Sequence, residues 1–100
     1  MLAHMVYFTL HDSSPSAIEH MIAQCHEHLT NHPGTVFFGA GGRTPDLNRP
    51  VNDAEFHVAL HVVFTDRAAH DAYQVDPRHK QFIEQNRDSW KQVRVFDSDI

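Results

Sequence analysis

The chain has 100 residues, 41% of them hydrophobic and 21% charged. That balance fits one folded domain and argues against disordered, collagen-like and membrane-spanning classes, since no apolar run approaches the roughly 20 residues of a span. The formal net charge is −5 and the eight Lys and Arg residues form no patch, which argues against a nucleic-acid partner.

Ten histidines are the compositional oddity: protonating all of them would carry the formal charge from −5 to +5, so the protein's field is sensitive to pH near 6. One cysteine, Cys25, permits no internal disulfide, in keeping with a reducing compartment. The opening MLAHMVYFTLHD has neither a basic n-region nor a small-residue cleavage site, so a cytoplasmic location is expected.

LAHMVYFTL, residues 2 to 10, alternates Leu2, His4, Val6, Phe8 and Leu10 with Ala3, Met5, Tyr7 and Thr9, which reads as a strand apolar on both faces. A helix follows, opened by Ser14 as N-cap with Pro15 in its first turn, or by Ser16 with Glu19 as a capping box. Ile18, Met21, Ile22, Cys25 and Leu29 give it one apolar stripe, and His32-Pro33-Gly34 stops it. TVFFGAG, 35 to 41, predicts a second strand, and the two prolines of RTPDLNRPVND, 43 to 53, a connecting loop.

The third strand is read over EFHVALHVVF, 55 to 64, with Phe56, Val58, Leu60, Val62 and Phe64 facing the helices and His57, Ala59, His61 and Val63 facing away. A short helix from Asp66 to Tyr73, a longer one from Pro77 to about Ser89, and a strand WKQVRVFD with Val93 and Val95 pointing together complete the chain. The order β-α-β-β-α-β, with its second helix broken, is an α+β, ferredoxin-like pattern with an antiparallel sheet, as one domain over 1–100. Helices on one sheet face leave the other carrying Met5, Tyr7, Ala59 and Val63, so a homodimer with sheets packed face to face is expected.

The broken helix also carries the candidate chemistry. In AYQVDPRH, 72 to 79, Asp76 is placed as N-cap and Pro77 as first helical residue, which puts His79 in the first turn beside the positive end of the helix dipole. There the imidazole stays neutral and able to accept a proton, while Tyr73, one break away, offers a hydroxyl to a carbonyl oxygen. His4 faces the same side of the sheet. A cavity between sheet and helices would be walled by His4, Val6, Phe8, Leu60, Phe82, Trp90 and Val93, and would suit a small apolar or aromatic ligand.

Other constellations read as structural. His26 and His28 diverge on a helix, and His57 and His61 lie roughly 13 Å apart along a strand, too far to share a metal ion. GAGG, 39 to 42, lacks the later glycine of a dinucleotide-binding turn, so no cofactor is implied. Cys25 has no basic neighbour on its helix face, which leaves a nucleophilic role unsupported.

Together HMVYF with His4, HPGTVFFGAG, HVALHVVF, YQVDPRHKQF and VRVFD resemble the stress-responsive A/B barrel (Dabb) domain family of the dimeric α+β barrel superfamily, over about residues 4 to 97. The resemblance implies a homodimer with a small-molecule pocket. Many members of that family are small dimers with no established activity. A few, such as the plant olivetolic acid cyclase, close a polyketide ring with a histidine and a tyrosine at the places of His79 and Tyr73 here, which implies a lyase or isomerase alternative. That enzyme's strand histidine matches His4 and its pocket tryptophan Trp90, whereas Cys25 and Val58 replace a pocket tyrosine and a second histidine. The shared superfamily also implies a monooxygenase as a third reading.

Overall fold

The computed structural model describes residues 1–100 and has four strands and three α-helices: β1 (Leu2–Leu10), α1 (Pro15–Leu29), β2 (Thr35–Gly42), β3 (Val58–Phe64), α2 (Arg67–Val75), α3 (Pro77–Asn86) and β4 (Trp90–Asp99). A single 3-10 turn, Arg87–Ser89, joins α3 to β4. The sheet order β2-β3-β1-β4, antiparallel throughout, is the ferredoxin-like arrangement expected from the element order.

Local chemistry sets the helix starts. Ser14 is the N-cap of α1, its hydroxyl accepting from the Ala17 N–H at 3.3 Å with Pro15 at the first position, so the Ser16/Glu19 alternative is not used. Asp66 caps α2 through the Ala69 N–H at 2.9 Å. Asp76 does two jobs: its N–H closes α2 on Tyr73 O, and its carboxylate caps α3 through the Arg78 N–H at 2.8 Å. Helix α2 thus runs two residues past Tyr73, and α3 ends three residues before Ser89, where the chain tightens into the 3-10 turn.

The period-two reading of β1 and β3 holds from Val58 onward: Val6, Phe8, Val58, Leu60, Val62 and Phe64 are buried under the helices, whereas Met5, Tyr7, Ala59, His61 and Val63 are only half-buried on the opposite face. Upstream of Val58 it fails. The strand begins three residues later than read, so Phe56 and His57 escape the alternation. Phe56 packs edge-on against Tyr7, at 5.0 Å between ring centroids, on the outer face instead of the core. His57 leaves the outer face to take the Leu10 N–H on its Nδ1 at 3.0 Å, where the pairing of β1 with β4 shifts register.

The turn from α1 to β2 needs its glycine. Gly34 has φ +82° and an added Cβ would lie 2.4 Å from Ala69 Cβ, so α2 can seat against this turn only without a side chain there. Arg78, in the first turn of α3, reaches back to the C-terminal end of α1, donating to Thr30 O and Glu27 O at 2.8 Å each. The helices pack over β2 and β3 and against one another, so the inward side of β4, with Val93 38% and Val95 49% exposed, is left open. A space between β1, β4 and the α2–α3 break follows from that offset. No helix is long and apolar enough to cross a membrane.

Candidate functional site

That space is a cavity of about 360 Å³. Its apolar wall includes Val6 and Phe8 of β1, Leu60 of β3, Phe82 of α3, and Trp90 and Val93 of β4, which places every one of the apolar residues read from the sequence at one cavity. Trp90 lies beside Phe8 and Phe82, at 5.1 and 5.7 Å between ring centroids, and its indole N–H donates to Met21 Sδ at 3.5 Å. The polar groups come from both sheet and helices: His4, Tyr73 and His79 line the same cavity.

Tyr73 and His79 meet because one residue, Asp76, both ends α2 and starts α3. Their rings stand edge to face with centroids 4.7 Å apart. Tyr73 is 2% exposed, and His79 is 8% exposed. Neither the Tyr73 hydroxyl nor His79 Nδ1 has a hydrogen-bond partner in the protein. Buried polar groups are normally paired, and each one left alone costs about 1–3 kcal/mol, so two beside one cavity are a costly arrangement for packing alone.

Electrostatics follow from that burial. Loss of solvent pushes the Tyr73 hydroxyl well above its ordinary value, so it is an O–H donor across the accessible pH range. Burial is also the main cause that lowers His79 to about 4, with His4, His32 and His70 adding repulsion that Asp76 partly offsets. The sequence predicts a neutral His79 from the helix dipole; in the structure the leading cause is desolvation.

His4 is buried, and burial lowers it despite the carboxylate of Asp97 at 2.5 Å from its Nδ1. On the far side of Tyr73, His32 packs edge-on at 5.0 Å and is fixed by its Nε2 against His28 O at 2.8 Å. Burial raises the Cys25 thiol to about 12, which removes it from thiolate chemistry.

Several further residues line the cavity that the sequence does not assign to it, among them His70, Gln74, Ile83, Val95 and Asp97. A signal existed for two of them. Asp97 continues the parity of Val93 and Val95 along β4, and His70 lies one turn before Tyr73 on α2. Pairing His4 with Asp97, 93 residues away, additionally required the β1–β4 register.

A four-stranded antiparallel sheet in ferredoxin-like order, with a cavity beneath helices that stop short of its last strand, defines a small α+β barrel domain. Within that class the chain belongs to the Stress Responsive A/B Barrel Domain (Dabb) family, whose model matches residues 2–100. Among curated proteins none matches the chain in sequence.

Solved structures are similar over nearly the whole chain. A Dabb family protein with a ferredoxin-like fold from Mesorhizobium loti is 23% identical, with a TM-score of 0.80 over 99% of this chain and 95% of that one. A dimeric ferredoxin-like protein of unknown function from Jannaschia is 23% identical, with a TM-score of 0.78 over 99% and 98%. The hydroxynitrile lyase of Passiflora edulis is 20% identical, with a TM-score of 0.77 over 99% and 92%. At these identities the likeness shows the fold.

Proposed function

We propose that the chain is a homodimeric small-molecule-binding protein whose cavity takes one small apolar or aromatic ligand carrying a carbonyl or hydroxyl oxygen. The observation that carries this reading is the pair of unpartnered buried polar atoms, Tyr73 Oη and His79 Nδ1, beside a largely apolar cavity. A ligand oxygen accepting from the Tyr73 hydroxyl relieves the cost of that lone donor, and the ring of the ligand replaces water against Phe8, Phe82 and Trp90. At about 360 Å³ the cavity is near the small end of ligand pockets, which favours a one- or two-ring compound.

Pairing of two copies is supported by the outer sheet face, where Phe37 and Phe96 are more than half exposed around Met5 and Val63, and by the dimeric neighbour from Jannaschia. Covering that face leaves the cavity, on the opposite side of the sheet, free for a ligand.

A second reading keeps the same site and adds turnover: a lyase or isomerase with His79 as general base and Tyr73 holding the developing oxyanion. The neighbour from Passiflora, a hydroxynitrile lyase, lends it support. Magnitude favours binding over turnover. An imidazole at about 4 is neutral at pH 7 yet a poor acceptor, roughly three units below the value that best serves a general base there.

The chain's single tryptophan lies at the cavity, so its emission reports entry of a ligand directly. Titration with acetophenone and its ring-hydroxylated analogues is expected to quench Trp90 saturably. Emission that changes only in proportion to added compound, with no saturation for any of them, would refute the proposal. Release of product from a saturating ketone or cyanohydrin would turn the choice to the second reading.

A further inference from the structure

A cluster of metal-ligating groups lines the same cavity as Tyr73 and His79. His4 of β1, His70 of α2 and Asp97 of β4 each bring one donor atom into a group whose members all lie within 4.8 Å of one another. They come from three elements and reach the cluster through the β1–β4 register, which sets His4 opposite Asp97, and through the turn of α2 that lays His70 over His4 with ring centroids 5.2 Å apart. We infer that His4, His70 and Asp97 form a site for one divalent transition-metal ion of the zinc or cobalt type.

The donor set selects the class of ion. Two imidazoles and one carboxylate suit first-row ions such as Zn²⁺ and Co²⁺, whereas Mg²⁺ and Ca²⁺ prefer oxygen alone. Three protein ligands also leave a fourth position open in a tetrahedral shell. All three side chains line the cavity, so that position faces it and would hold water or an oxygen of a bound compound.

An outer partner is already in place. Asp71 sits 2.9 Å from His70 Nδ1, and a carboxylate accepting that N–H fixes the tautomer with Nε2 as the lone-pair donor, the usual support behind a metal-bound histidine. On the other side, His4 Nδ1 and Asp97 Oδ1 are 2.5 Å apart, the distance of a hydrogen bond in which the ring N–H proton is donated to the carboxylate. An ion entering there replaces that proton, and the two atoms must separate to about 3.3 Å, the spacing of ligands at ~2 Å in a tetrahedral shell. Asp97, with its side chain 46% exposed on the uncovered last strand, has room to make that shift.

The inference does not rest on the proposed ligand chemistry, and its test reads metal directly. Co²⁺ is titrated into the purified chain and followed by its visible d–d absorption, with Zn²⁺ heats and melting temperature measured alongside. The expected result is one equivalent per chain, tetrahedral Co²⁺ bands, and a melting temperature raised by Zn²⁺ through mass action.

His70→Ala and Asp97→Asn should each weaken binding at least about tenfold, and Asp71→Asn by about as much through the outer partner. His20→Ala, on the exposed face of α1, should change nothing. Because His70 and Asp97 are reachable from the cavity and the surface, circular dichroism of those variants is expected to match wild type. Wild type that takes up no stoichiometric Co²⁺, or His70→Ala and Asp97→Asn variants that bind it as wild type does, would overturn the site.

Discussion

The ring of His79 stands edge-on to the ring of Tyr73 with centroids 4.7 Å apart, and the link between them is Asp76, which closes one helix and caps the next. A break of one residue therefore turns two ordinary helix positions toward one cavity. The hydroxyl and the imidazole arrive buried and unpartnered, and that cost is what a ligand can remove.

Tyr73→Phe separates ligand binding from stability. In the absence of ligand the variant loses a buried donor that has no partner, so the protein should be unchanged or more stable, by up to about 1–3 kcal/mol. For a domain of this size that is a rise of roughly 4–8 °C per kcal/mol in melting temperature. A drop of several degrees would mean that the hydroxyl is satisfied in the native protein, and with it the reason for assigning it to a ligand would be lost.

The pH dependence follows from His79. Its folded value, about 4, lies below the ordinary 6.5, so the unfolded chain binds the proton first. Its contribution to stability is complete above pH 6.5, is lost as the pH falls from there through about 4, and is constant below. Burial is the main cause of the shift; of the facing groups, His4 on β1, His32 beyond α1 and His70 on α2 lower it further and the Asp76 carboxylate opposes them. Thermal melts from pH 8 to 4.5 should show a shallower acid loss in His79→Gln than in wild type; parallel curves would remove His79 from this account.

Pairing through the outer face predicts a dimer by sedimentation at micromolar concentration. Phe96→Glu places a charge on that face beside Met5, at a position 54% exposed in the single chain, so it should yield folded monomer. A wild-type monomer at that concentration would contradict the arrangement.

Gly34→Ala should destabilise through two effects that act together. The left-handed φ of +82° costs a non-glycine residue about 1–2 kcal/mol, and the added Cβ would press on Ala69 of α2. The melting temperature should fall by at least about 4 °C. An unchanged melt would show that the turn relaxes away from α2.

Much of the fold was legible because the period-two pattern of β1 and β3 coincides with real burial. Val6, Phe8, Leu60 and Val62 read as inward and are inward. The reading failed at Phe56 and His57, where a strand-like composition continues past the point at which β3 starts and the alternation has no sheet to act on. At the cavity, the Tyr73–Asp76–His79 break is a local signal of seven residues. The contact between His4 and Asp97 is set by strand register over 93 residues, and nothing local to either residue reports it. The openness of β4 was hidden for a related reason: it depends on where the helices lie across the sheet, while Val93 and Val95 look like any buried pair.

Whether the Tyr73 hydroxyl holds a ligand oxygen is read by comparing acetophenone with isopropylbenzene, two rings of similar size that differ in the carbonyl oxygen, by Trp90 emission in wild type and in Tyr73→Phe. Wild type is expected to prefer the ketone by about tenfold, close to 1.4 kcal/mol, and the preference to disappear in Tyr73→Phe while the hydrocarbon binds both proteins alike. Equal affinity for the two compounds in wild type, or a ketone preference that survives the loss of the Tyr73 hydroxyl, would contradict that role.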